Sequence, residues 1–368
     1  MSNPIYVTQS VLPELSEFIP YLEQIWENKI LTNGGPLHQQ LEQELCEYLG
    51  VDYISLFNNG TIALITALQA LDLKEGEVIT TPYTFLATAH AIVWNNLTPV
   101  FVDIDPVTSN IDPKKVEQAI TDDTVAILPV HCYGIPCNVA ALQALATKHK
   151  LKLVYDAAHA FGIECNNQSL LNYGDLSTIS FHATKVFNTF EGGAIVCHSA
   201  EMKQRIDQLK NFGIVNETTV NDISLNGKLS EVHAALGLLQ LKTIDQTLQA
   251  REEVDRCYRE LLADVDGIRC IQRLNSGKDN YAYFPIVISE LYPLSRDALF
   301  EKLKQHNVFA RKYFHPLMTE LSVYQQYESD TPDAKLLSEQ VLCLPMYPNL
   351  EVNNIQRIVQ VIKGGIKE

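Results

Sequence analysis

Between Val51 and Val196 the sequence alternates short apolar runs with longer amphipathic stretches, and that alternation admits few architectures. The runs Tyr53–Phe57, Val78–Thr80, Pro99–Val102, Thr124–Val130, Leu151–Tyr155, Leu176–Phe181 and Ala194–Cys197 are mostly continuous in apolar residues. Strands covered on both faces read that way, whereas half-exposed strands alternate. Helical spacing over Thr61–Leu73, Pro113–Ile120 and Asn138–His149 supplies the crossovers that parallel strands need. The pattern predicts an α/β fold on a mostly parallel sheet. A helical stretch from Ser230 to about Leu262 follows, with Ala234, Ala235, Leu238, Leu239 and Leu241 on its apolar face. After it come a strand over Tyr283–Ile288, a helix over Ser295–His306, a strand over Val308–Tyr313 and a last helix from Val352. The expected division is a large domain over 1–245, with an N-terminal helical segment, and a smaller C-terminal α/β domain over 246–368.

Charge narrows the partners. With 28 basic and 44 acidic residues the net charge is −16, and no basic cluster stands out. A phosphate backbone needs a basic face, so nucleic acid is not an expected partner. Any anionic ligand must be held by local donors. No apolar stretch is long enough to span a bilayer, and the N-terminus lacks the charged and apolar regions of a leader. Eight scattered cysteines, most inside apolar runs, read as buried thiols of a reducing compartment. The expectation is a cytoplasmic protein with no membrane partner. Cys132 and Cys137 flank a turn without a facing second pair, so no metal site is expected.

Chemistry concentrates where the apolar runs end. Asp156 closes Leu153-Val154-Tyr155-Asp156, and Lys185 lies just past the run ending at Phe181. In an open α/β sheet ligands sit beyond the carboxyl ends of the strands. A lysine there can hold an aldehyde cofactor covalently, and a buried aspartate can keep a pyridinium nitrogen charged. Those are the two groups pyridoxal phosphate requires of a protein. The other reading of Asp156 is a cap on a following helix, Ala157-Ala158-His159-Ala160. Asn58-Asn59-Gly60-Thr61 comes after a strand and opens an apolar helix, so its amides can cradle a phosphate; ordinary N-capping explains the same residues. Ser180 can add a hydroxyl. His159 lies in the same mouth, as a donor to a phenolic oxygen or as a satisfied rim histidine. Phe85 can stack on a flat ring or belong to the core.

Together these segments resemble the sugar aminotransferases of the DegT/DnrJ/EryC1/StrS family. The likeness runs through Leu31-Thr32-Asn33-Gly34, Asn59-Gly60-Thr61, Thr84-Phe85-Leu86-Ala87-Thr88-Ala89 and Pro129-Val130-His131-Cys132-Tyr133-Gly134. It continues through Asp156-Ala157-Ala158-His159, Ser180-Phe181-His182-Ala183-Thr184-Lys185, Leu225-Asn226-Gly227-Lys228-Leu229-Ser230-Glu231 and Leu342-Cys343-Leu344-Pro345-Met346-Tyr347. The resemblance implies a fold-type I enzyme dependent on pyridoxal phosphate. Lys185 would be the covalent anchor and Asp156 the pyridinium partner, the two catalytic residues. His159 would approach the ring oxygen and Phe85 the ring face. Gly60, Thr61, Ile62 and Ser180 would hold the phosphate, and Asn226 would reach it from a neighbouring subunit of a homodimer.

The form Ser-Phe-His-x-x-Lys followed by Glu191-Gly192-Gly193 resembles the branch that aminates C4 of nucleotide-linked 4-keto-6-deoxy sugars. The implied partners are L-glutamate and a dTDP-linked keto sugar, with dTDP-4-amino-4,6-dideoxyglucose as product and a place in O-antigen and lipopolysaccharide biosynthesis. Thr32, Lys228, Arg311 and Tyr313 are the candidates for substrate contact, with Lys312 beside them. Ile62 departs from the family's usual small residue, and Asn280-Tyr281-Ala282-Tyr283 lacks a histidine often found there. Rival readings are a C3 keto-sugar or cyclitol aminotransferase, and a regulatory protein that kept the fold and lost turnover. Lys185 counts against the dehydratase branch, which carries histidine instead. A dinucleotide-binding oxidoreductase is disfavoured because no G-x-G-x-x-G follows the first strand.

Overall fold

The computed structural model describes residues 3–273, 277–327 and 329–364; Met1 and Ser2, part of the segment read for a leader, lie outside them. Its centre is a seven-stranded sheet. From one edge to the other the strands are Tyr53–Phe57, Gly193–Cys197, Leu176–Ser180, Lys152–Asp156, Thr124–Ile127, Glu77–Thr80 and Thr98–Phe101. All run parallel except Gly193–Cys197, which is antiparallel to both neighbours. The expected mostly parallel sheet is present, and each apolar run seen in the sequence falls in one of its strands.

This topology gathers the strand ends that carry chemistry. Phe57, Thr80, Asp156 and Ser180 end parallel strands at one edge of the sheet. The reversed strand begins there, with Gly193 paired to Phe57 and Ser180. Helix Gly60–Ala70 starts at the same edge and is buried at Ala63, Leu64, Ile65, Thr66, Ala67, Leu68 and Ala70. It is apolar nearly all round, as a helix packed between a sheet and another helix must be, and Leu86–Trp94 is that neighbour. The opposite face of the sheet packs on Pro36–Leu49 and on the first half of the long helix Glu231–Leu262.

A second core surrounds a three-stranded antiparallel sheet, with Phe284–Ile288 between Ile268–Cys270 and Val341–Leu344. Helices Arg296–Gln305 and Val352–Ile362 cover it. The long helix belongs to both cores: Leu238, Ile244 and Leu248 pack in the first, Val254, Tyr258 and Leu262 in the second. The expected strand over Val308–Tyr313 is shorter. Only Val308–Phe309 pairs as a strand, parallel to Ile5–Tyr6, and Arg311 adds an isolated antiparallel bridge to Cys343 of the second sheet. Ile5 therefore packs with the second core although it begins the chain.

Candidate active site

A cavity of about 290 Å³ opens beyond the carboxyl ends of the central strands, lined by Asp156, His159, Ser180 and Lys185 from the large sheet. Tyr283 and Tyr313 close it from the second lobe. It sits where ligands gather in open α/β sheets.

Asp156 is 4% exposed. Its Oδ2 accepts from the Thr88 hydroxyl at 2.7 Å, and its Oδ1 accepts from the Ala158 amide at 3.1 Å. Thr88 in turn shares a hydrogen bond with Thr84 at 2.9 Å. The expected helix over 157–160 is a turn instead, and Oδ1 caps that turn without using up the carboxylate. Burial raises its pKa, opposed by the Thr88 and Ala158 hydrogen bonds and by the charge of Lys185. A carboxylate so placed is stabilised by a cation brought beside it.

Lys185 projects from the loop after Leu176–Ser180, where its amide donates to the His182 carbonyl at 2.8 Å. Its Nζ donates to the Tyr283 hydroxyl at 3.2 Å. Among the described residues it forms no ion pair with Asp156. Burial lowers its pKa to about 8, against the opposing effects of Asp156 and Tyr313. An amine in that range supplies a neutral base near physiological pH.

His159 accepts the Tyr133 amide on Nδ1 at 3.2 Å. Its neutral ring therefore carries the proton on Nε2, which is left as a donor. Burial drives its pKa well below the usual value, and Lys185 adds to the effect. The ring lies 4.7 Å from that of Tyr283 and parallel to that of Phe314 at 6.1 Å.

The start of helix Gly60–Ala70 forms the far wall. Asn59 caps it, its side chain accepting the Ile62 amide at 2.8 Å. Of the three amides expected to hold a phosphate, that of Ile62 is already bonded, leaving those of Gly60 and Thr61. A Cβ on Gly60 would lie 3.0 Å from the Ser180 Cβ, and one on Gly193 would lie 2.7 Å from the Gly60 nitrogen. The two glycines let three chain segments converge on one small volume. First-turn amides, a serine hydroxyl, a buried carboxylate and a lysine amine form a donor set suited to pyridoxal phosphate.

The remaining candidates divide. Phe85 stands at the mouth, 57% exposed in the single chain. Tyr313 lines the cavity, and Arg311 lines an adjoining one of about 470 Å³ together with Phe85 and Lys312. Lys312 pairs with Asp297 at 2.5 Å. Thr32, Asn226 and Lys228 do not line the cavity within one chain. Thr32 and Asn226 are exposed, and Lys228 donates to Asn211 at 2.6 Å. Sequence reasoning missed Thr88, Phe314 and Tyr283. Thr88 carries a faint signal, one helical turn beyond Thr84 in a quoted motif. Tyr283 carries an indirect one, because its segment Asn280-Tyr281-Ala282-Tyr283 departs from the family pattern.

The sequence profile of the DegT/DnrJ/EryC1/StrS aminotransferase family matches residues 14–363. A dTDP-4-amino-4,6-dideoxy-D-glucose transaminase of Shigella dysenteriae is 56% identical over 365 residues, 99% of each chain. One of Escherichia coli is 50% identical over 368 residues, 98% of each chain. Among solved structures, DesI in the presence of its TDP-sugar product superposes with a TM-score of 0.94 at 34% identity, covering 99% of this chain and 95% of that one.

Proposed function

The chain belongs to the DegT/DnrJ/EryC1/StrS aminotransferase family, and from that premise we propose that it moves the amino group of L-glutamate to C4 of dTDP-4-keto-6-deoxy-D-glucose. The product is then dTDP-4-amino-4,6-dideoxy-D-glucose. It is a nucleotide-sugar transaminase dependent on pyridoxal phosphate. The observation that carries the finer reading is 56% identity over 99% of both chains to an enzyme named for that product.

Bound pyridoxal phosphate supplies an aldehyde for the amine and a ring that withdraws electrons. Lys185 Nζ would hold the aldehyde and, once released, would take and return a proton beside the substrate carbon. Burial keeps a useful fraction of that amine neutral. Asp156, oriented by Thr88 and Ala158, would pair with the ring nitrogen, whose positive charge would in turn keep the buried carboxylate ionised. His159 offers its Nε2 proton to the ring oxygen. The Gly60 and Thr61 amides and the Ser180 hydroxyl hold the phosphate. In the first half-reaction glutamate leaves as 2-oxoglutarate; in the second the keto sugar leaves as the amino sugar.

Two features support a homodimer with shared sites. Thr32 and Asn226 are exposed and away from their own cavity, and Phe85 and Ile223 expose apolar surface. Asn226 of one subunit then completes the phosphate site of the other, while Thr32, Lys228, Arg311 and Tyr313 receive the sugar nucleotide. No helix among the described residues is long and apolar enough to cross a membrane. We place the enzyme in the cytoplasm, supplying amino sugar for O-antigen and lipopolysaccharide synthesis.

The test is NMR of the product from L-glutamate and dTDP-4-keto-6-deoxyglucose. An equatorial amine at C4 is the expected outcome. An amine at C3, an axial amine, or no product would overturn the proposal.

A further inference from the structure

Tyr283 is the side chain that meets the anchor amine, and the chain invests heavily in placing it. The segment Asp279–Tyr283 crosses from the second lobe to the mouth of the first. Arg251, 2% exposed on the long helix, directs Nη1 toward the carbonyls of Tyr281, Ala282 and Met346 at 3.3, 3.5 and 3.4 Å. Arg273 donates to the Asp279 carboxylate at 3.0 Å and to the Tyr283 carbonyl at 2.7 Å. Asn280, fully buried, donates to the carbonyls of His159 and Phe161 at 2.8 and 2.9 Å, and its Oδ1 accepts the Ala282 amide at 3.1 Å.

Those bonds fix the tyrosine against both lobes. Its ring meets those of His159 at 4.7 Å and of Tyr133 and Tyr313 at 5.9 Å each. Burial pushes the phenol pKa up, despite the nearby Arg251 charge, so the hydroxyl stays protonated. It remains a neutral partner, able to accept from Lys185 as ammonium or to donate to it as amine. Tyr292 of the second core, by contrast, satisfies its hydroxyl on the backbone, at the Ile362 carbonyl. Tyr283 has the catalytic amine instead.

We propose that Tyr283 is a positioning residue for Lys185: its phenol holds the freed amine in place between the two proton transfers, and the Arg251–Arg273–Asn280 brace holds the phenol. This rests on the aminotransferase reading above. Without the hydroxyl the amine keeps its identity but samples more orientations, so proton transfer slows while glutamate binding is spared. One lost hydrogen bond to a charged or charge-shifting group corresponds to about a tenfold change in rate.

The experiment uses Tyr283→Phe, which retains the ring and its contacts, and Tyr283→His, which restores a polar ring atom. With the wild type turning over, Tyr283→Phe is expected to load cofactor normally, lower kcat about tenfold with little change in the glutamate KM, and show a larger isotope effect with α-deuterated glutamate. Tyr283→His is expected to recover part of the loss. A second readout needs no turnover. It is the pH midpoint for binding of pyridoxal phosphate by cofactor-free protein, followed by visible absorbance. Removing the acceptor for the ammonium should lower that midpoint. An unchanged rate and isotope effect in Tyr283→Phe, or an unchanged or raised midpoint, overturns the inference. A wild-type protein that neither binds cofactor nor converts glutamate would instead overturn the aminotransferase reading.

Discussion

Two clusters of ionisable side chains are taken out of water in this molecule, and their electrostatics run in opposite directions. One lies at the sheet edge near Tyr53–Phe57. There Glu42 meets Lys203 at 2.9 Å, Lys210 at 3.4 Å and His38 at 3.2 Å. Asp207 meets the same two lysines, both at 2.7 Å. Burial alone would raise the Glu42 pKa. The His38 hydrogen bond and the charges of Lys210 and Lys203 outweigh it and hold the carboxyl far below its usual range. The other cluster is Asp156, His159 and Lys185, where burial dominates and each group is pushed toward its neutral form. The first set is self-complementary and ties two helices to a strand. The second has no such ion pairing among the described residues and suits a ligand that brings a cationic ring nitrogen and an anionic phosphate.

The sharpest way to break that comparison is to neutralise one carboxylate in each cluster. Asp156→Asn keeps a side chain that can bond Thr88 and removes the charge proposed to pair with the ring nitrogen. It should lower kcat about a hundred- to thousandfold while thermal stability changes little. Steady-state kinetics beside a melting curve checks both halves. A variant that loses stability and keeps its rate would reverse the assignment of the clusters.

Glu42→Gln should behave in the opposite manner, with activity per folded molecule retained and stability lowered by about 2 kcal/mol, because two lysines lose a half-buried partner. The sign with pH follows from the depressed folded pKa. Glu42 contributes stability above the ordinary carboxylate range and loses it as pH falls through the folded value. The gap between wild type and Glu42→Gln should therefore narrow on acidification. Urea unfolding at neutral and acidic pH reads this directly, and a constant gap would contradict it.

Much of this was legible in the sequence, for identifiable reasons. Strands buried on both faces must be apolar throughout, so all seven strands of the large sheet left a mark. Direction leaves none, and nothing in Gly193–Cys197 announces that it runs backward. The short strands Ile268–Cys270 and Ile5–Tyr6 depend on distant partners and were not read. Asp156 and Lys185 were legible because a charge at the end of an apolar run is costly unless something uses it. Ile62 was expected to offer its amide, yet the Asn59 cap two residues outside the expected helix start claims it. Tyr283 was hidden because its role arises from a brace of three residues spread over Arg251 to Asn280, and no local spacing encodes that.

The central claim is that Lys185 is the amine that holds the cofactor. Borohydride reduction of protein loaded with pyridoxal phosphate, followed by digestion and mass spectrometry, tests it most directly. The account predicts a single pyridoxyl-modified peptide carrying Lys185, and no modification under the same conditions in Lys185→Ala. A label on any other lysine as the principal product, or a loaded protein that reduction fails to label, would contradict it.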